Sequence, residues 1–124
     1  MRDILEFIGD HIDEKLGVTM SAYGQLPSEG NVILYNFKAG IKPSYALGRS
    51  NSYRRRPFLQ VIVRNESYDK ALDIANVVTK ELERLHGEKG ILSITATTDI
   101  LEYGRDKDNN YNFLMNFILD IEEE

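Results

Sequence analysis

"NYNFLMNFILDIEEE", residues 110–124, puts Tyr111, Phe113, Met115, Phe117, Leu119 and Ile121 at every second position. Side chains two apart point the same way in an extended chain, so this run predicts a strand with one side buried in a core. Its other side, Asn112, Leu114, Asn116, Ile118 and Asp120, is partly apolar. Such a strand sits in a sheet with one face packed under helices and the opposite face only partly polar.

Working outward, the helices are legible from the 3.6-residue period. "NESYDKALDIANVVTKELERLHGEKG", residues 65–90, lines Ala71, Ala75, Val78, Leu82 and Leu85 along one side, with Ser67 as N-cap, Asp69 in the first turn and Gly87 as a stop. A first helix follows from Ile4, Leu5, Ile8, Ile12 and Leu16, with acids between them and Gly17 after them. "AYGQLPSEGN" reads as a turn-rich connection. "NVILYNF", "PFLQVIVRN" and "GILSITATTDILEY" read as strands, the first ending near Phe37. The expected fold is α+β: a two-layer sandwich in the order α-β-β-α-β-β, with a mostly antiparallel four-stranded sheet and both helices on one face.

With 124 residues the chain is expected to form a single domain over its whole length, 1–124. It has no cysteine, which excludes disulfides and thiolate metal sites, and its two histidines, His11 and His86, lie far apart. Acids interrupt the N-terminal apolar residues, so no signal peptide or membrane-spanning run is expected, and the protein is expected to be made in the cytoplasm.

Net charge is -5, but its distribution is uneven. Between Lys38 and Arg56 the chain carries Lys38, Lys42, Arg49, Arg54, Arg55 and Arg56 and no acid. The interval has glycine, proline and serine punctuation and no sustained period, so it predicts a long basic loop. Clustered like charge is usually kept for an opposite surface or a polyanion, the alternative being a solvated loop whose charges only aid solubility. The candidate partner-binding residues are therefore these six cations together with Tyr45 and Tyr53, whose rings add apolar area with a polar tip.

Catalytic signatures are not found. "DKDNN" at 106–110 has alternating oxygen ligands, but counting from Asp106 a calcium loop needs glycine where Tyr111 stands and an acid where Phe117 stands. No glycine-rich phosphate loop follows a strand and no nucleophile motif occurs. Neither an enzyme nor a cofactor is expected. Assembly is the better-supported class, because Phe58, Ile62, Leu114 and Ile118 make the sheet's second face partly apolar. Either a second copy of the chain covers these four residues, or helix one or the long loop folds across that side.

"FLQVIVRNESYDKALDIANVV" and "EYGRDKDNNYNFLMNFIL" together resemble the minor capsid and tail terminator (tail completion) proteins of long-tailed bacteriophages. The shared features fall on Arg64, Ser67, Tyr68 and Ala71, then on Gly104, Arg105, Asp106, Phe113, Asn116 and Phe117. The resemblance implies a non-enzymatic, commonly hexameric ring in the virion, at the head-proximal end of the tail. Such a ring stops polymerisation of the tail tube protein and offers a joint to the head connector protein. In that setting the basic segment would dock on acidic partner surfaces, which is favoured, or meet passing DNA. A stand-alone nucleic-acid-binding module using the same arginines is the alternative class, against which the acidic remainder of the chain counts.

Overall fold

The structure is a computed structural model and describes residues 2–25, 27, 30–45, 53–105 and 109–123. In chain order the elements are α1 (Arg2–Leu16), β1 (Ser21–Tyr23), β2 (Val32–Tyr45), β3 (Tyr53–Asn65), α2 (Tyr68–Arg84), β4 (Ile91–Ala96), β5 (Leu101–Arg105) and β6 (Tyr111–Glu123).

The fold is α+β, but the expected four-stranded, mostly antiparallel sheet is corrected. Among the described residues there are six strands in one mixed sheet, ordered β1-β2-β3-β6-β4, with β5 also pairing β6. β1 runs parallel to β2, and the other pairs are antiparallel. Two local features hid these strands. β1 has three residues, too few to show a period, and it abuts the turn residues Gly24 and Pro27. β4 and β5 read as one run because Thr97–Ile100 interrupts them without a glycine or proline; there the Thr97 amide donates to the Asn116 carbonyl at 2.9 Å.

The expected long loop at 38–56 is also largely strand. β2 continues to Tyr45 and β3 begins at Tyr53, with Ile41 opposite Arg56, Ser44 opposite Arg54 and Tyr45 opposite Tyr53. Register shifts between Lys38 and Ile41 and between Ile41 and Ser44 flank Gly40 and Pro43. Proline has no amide to donate and is tolerated at bulges and edges. Pro43 has both, since β1 pairs with β2 only at Ile33, Leu34 and Tyr35. The two register shifts break the two-residue alternation here, so extended chain reads as loop.

Both helices join one core with one face of the sheet. Ile4, Leu5, Ile8 and Ile12 of α1 and Ala71, Ala75, Val78 and Leu82 of α2 meet Ile33 and Tyr35, Leu59, Val61 and Val63, and Phe113, Met115, Phe117, Leu119 and Ile121. Gly17 ends α1 with φ of 75° and donates to the Asp13 carbonyl at 2.9 Å. Ser67 caps α2, its hydroxyl accepting from the Lys70 amide at 3.4 Å. One buried carboxylate joins the helices. Glu81 accepts from His11 Nε2 at 3.2 Å, with Lys15 Nζ at 3.7 Å and Arg84 Nη1 at 3.9 Å. The His11 hydrogen bond and the two cations hold the Glu81 carboxyl below its ordinary pKa, against the effect of burial. Tyr35 is buried, which raises its pKa; its hydroxyl lies 3.4 Å from Ser21 Oγ, which itself donates to Asp13 at 2.8 Å.

Candidate functional site

Leu34, Asn36 and Lys38 of β2, Phe58, Gln60 and Ile62 of β3, and Leu114, Asn116 and Ile118 of β6 lie on the sheet face away from the helices, and the register arranges them in rows across the sheet. One row runs Ala22, Leu34, Ile62, Leu114 and Leu101, apolar over five strands. The next is Asn36, Gln60 and Asn116, all amides. A third is Lys38, Phe58, Ile118 and Thr95. The outer face is therefore banded: apolar, amide, then apolar with a cation at one end.

The candidate interface residues Phe58, Ile62, Leu114 and Ile118 are thus brought together on one surface. Ile62, Leu114 and Ile118 are half-buried, while Phe58 is 39% exposed and Leu101, which sequence reasoning missed, is 47% exposed. Leu34 at the β2 end is buried. At that end the Arg64 guanidinium donates to the carbonyls of Gly30 and Pro27, both at 2.8 Å, holding the connection before β2 against the sheet. The rest of this face therefore leaves Phe58 and Leu101 exposed and Ile62, Leu114 and Ile118 partly exposed. Beside Phe58, a groove of about 230 Å³ is lined by Lys38, Phe58, Thr97 and Asn116.

β2 and β3 continue as a paired ribbon as far as Tyr45 and Tyr53. Lys38 and Arg56 are exposed and Arg55 is half-buried. Lys42, Tyr45, Tyr53 and Arg54 are placed by their backbones in the two strands, and Arg49 lies outside the described residues. What lies across from the arginines has no counterpart in the sequence reading. β6 continues alongside β3 so that Arg54 is opposite Glu122, Tyr53 opposite Glu123 and Arg55 opposite Ile121. Hence the basic strand runs antiparallel to the acidic end of the last strand. Register between distant segments has no signature in local composition, so this juxtaposition becomes visible only in the fold.

Several of the residues that carried the family resemblance meet where β3 passes into α2. Arg64 clamps the β2 connection, Ser67 caps α2, and Ala71 is fully buried. The Tyr68 ring meets Tyr111 and Phe113 edge-on, each with centroids 5.4 Å apart. Gly104 has φ of 95°, and the Arg105 guanidinium lies 4.7 Å from the Tyr111 ring centroid. Phe113 and Phe117 are buried core residues and Asn116 belongs to the amide row. Asp106 lies outside the described residues, as do Lys107 and Asp108 of the turn weighed as a calcium loop. Among the described residues, no group of three His, Cys, Asp or Glu side chains could hold a metal ion, and no helix is long and apolar enough to cross a membrane.

A banded sheet face and a charged ribbon, built on a two-helix core, are the features of a contact-forming α+β domain. The model of the bacteriophage tail terminator protein family matches residues 12–123, and the chain belongs to that family. In fold it is similar to a chain from the virion of a native gene transfer agent particle, with a TM-score of 0.52 and 12% identity, over 90% of this chain and 84% of that one. No curated protein matches the chain. Membership of that family makes the protein a phage tail structural protein of the tail terminator type.

Proposed function

We propose that copies of this chain form a ring, a homohexamer on assembly, at the head-proximal end of the tail. There it ends polymerisation of the tail tube protein and provides the joint to the head connector protein, without catalysing a reaction. The observation that carries this reading is the outer sheet face, banded with apolar residues and partly exposed, in a chain of the tail terminator family. Half-exposed aliphatic and aromatic rows beside polar ones suit an interface between folded subunits, whose centres are apolar and whose hydrogen bonds are supplied by amides.

Within the ring, Phe58, Ile62, Leu114 and Ile118, joined by Leu101, pack against the neighbouring copy. Asn36, Gln60 and Asn116 give that contact its register, because a misaligned neighbour would leave amides buried without partners. Lys38, Lys42, Tyr45, Arg49, Tyr53, Arg54, Arg55 and Arg56 form the arm that docks on carboxylates of the connector or tube. Charge-assisted contacts of this kind set orientation and encounter rate.

Sedimentation over a range of concentrations, alone and with purified tail tubes, tests the reading. Concentration-dependent association, or binding of a defined number of copies to tube ends, is the expected result. A chain that stays monomeric in both settings contradicts it.

A further inference from the structure

We propose that the end of β6 is a built-in electrostatic mask over the arginine tract, which keeps the ribbon from binding nucleic acid while leaving it able to dock on protein. The register carries the inference. Arg54 is directly opposite Glu122, and Tyr53 is opposite Glu123. The same unshifted pairing, continuing from Arg55 opposite Ile121 to Phe58 opposite Ile118, brings Arg56 level with Asp120. Residues directly opposite in an antiparallel pair hold their Cβ atoms about 5 Å apart on the same face of the sheet. That spacing is inside the screening length of about 8 Å at physiological ionic strength, so Glu122 and Asp120 lower the positive field at the β3 positions opposite them, while Glu123 faces Tyr53 and Arg55 faces Ile121.

The consequence differs between the two kinds of partner. Duplex DNA is held through the release of counterions by unneutralised cations, and an arginine already beside a carboxylate contributes little to that. Phosphates approaching the ribbon also meet the acids of β6. A protein surface can instead place single carboxylates and amides where an alternating pattern of charges accepts them, so a ribbon of mixed sign keeps its orienting power there. The outer face repeats the logic along β3: even positions run Arg54, Arg56, Phe58, Gln60 and Ile62, from charged to apolar to amide, a mixture that fits a protein and not a polyphosphate. The inference uses only the strand register, and holds whether or not a ring forms.

The test neutralises the mask. A variant with Asp120→Asn, Glu122→Gln and Glu123→Gln is compared with the unaltered chain for binding to duplexes of unrelated sequence, by fluorescence anisotropy from 50 to 200 mM salt. A control with Asp69→Asn, Asp73→Asn and Glu83→Gln on the exposed side of α2 changes net charge by the same amount. The unaltered chain and the control are expected to bind weakly. The β6 variant should bind at least about tenfold more tightly at 50 mM salt, with a salt slope steeper by about 0.9 for each arginine released. Changing Arg54, Arg55 and Arg56 to Gln in the same variant should abolish the gain.

Equal affinities for the β6 variant and the unaltered chain overturn the proposal. So does an equal gain in the α2 control, or a gain that survives removal of the arginines. Circular dichroism verifies folding; if the triple change unfolds the chain, Glu122→Gln alone, which removes the acid opposite Arg54, must raise the affinity and the slope by the share of one arginine, and failure to do so overturns the proposal.

Discussion

Two neighbouring residues of β6 should respond very unequally to lysine. Leu119 is fully buried on the helix side, paired across β4 with Ile94, and Ile118 is half-buried on the outer face, paired with Phe58 and Thr95. Truncating a buried leucine costs about 2–5 kcal/mol, and an unpaired ammonium in the same place adds several more. A domain of this size is stable by only about 5–15 kcal/mol, so Leu119→Lys should abolish the folded state. At Ile118, lysine can lay its methylenes along the sheet and keep its charge in water. Roughly half of the ~2 kcal/mol from burying an isoleucine is at stake, a loss of about 1 kcal/mol. Urea unfolding should therefore show a slightly lower midpoint and an unchanged slope for Ile118→Lys, while sedimentation shows weakened association. If Ile118→Lys unfolds the chain as Leu119→Lys does, the outer face belongs to an internal core. If it folds and associates normally, that face is not the interface.

Other expectations follow from single contacts. The folded Glu81 carboxyl has a lowered pKa through His11, Lys15 and Arg84, so its contribution to stability is complete above the unfolded value near 4.5 and is lost as pH falls through the folded one. The stability difference between the unaltered chain and Glu81→Gln, read by urea unfolding, should be present at pH 7 and shrink on acidification; a difference that grows as pH falls contradicts this. Gly90 has φ of 78° and a Cβ there would lie 2.5 Å from the Glu122 carbonyl oxygen, so Gly90→Ala should cost on the order of 1–3 kcal/mol in thermal or urea unfolding. A neutral result would mean the β4 turn is not held as described. Arg54, Arg55 and Arg56 changed together to Gln should leave circular dichroism unchanged and reduce the joining of tails to heads, scored as infectious particles. Glutamine serves better than glutamate because a glutamate at 54 would oppose Glu122. Full infectivity would leave the arginines without a docking role.

How far these features could be read from the sequence depended on whether a period or a partner set them. α1, α2 and the core side of β6 follow from spacing, because a buried stripe repeats within one element: Ile4 to Ile12, Ala71 to Leu82, and Phe113 to Ile121. The outer face was partly legible for the same reason, since Phe58, Ile62, Leu114 and Ile118 occupy alternate positions. β1 was invisible because three residues cannot display a period, and the strand character of Lys38–Tyr45 was hidden because two register shifts break its alternation. The amide row and the placement of Arg54 across from Glu122 arise from pairing between separate segments of the chain, which no local pattern encodes. Leu101 was overlooked for a related reason: the interruption at Thr97–Ile100 resets the alternation before it reaches Leu114.

Purified protein added to growing tail tubes, followed by light scattering and electron microscopy, tests the central claim most directly. Elongation should stop at substoichiometric amounts relative to tube protein, with ring-shaped density at one end of each tube, and Ile118→Lys should be weaker in both effects. Tubes that lengthen at an unchanged rate, with no density at their ends, would contradict it.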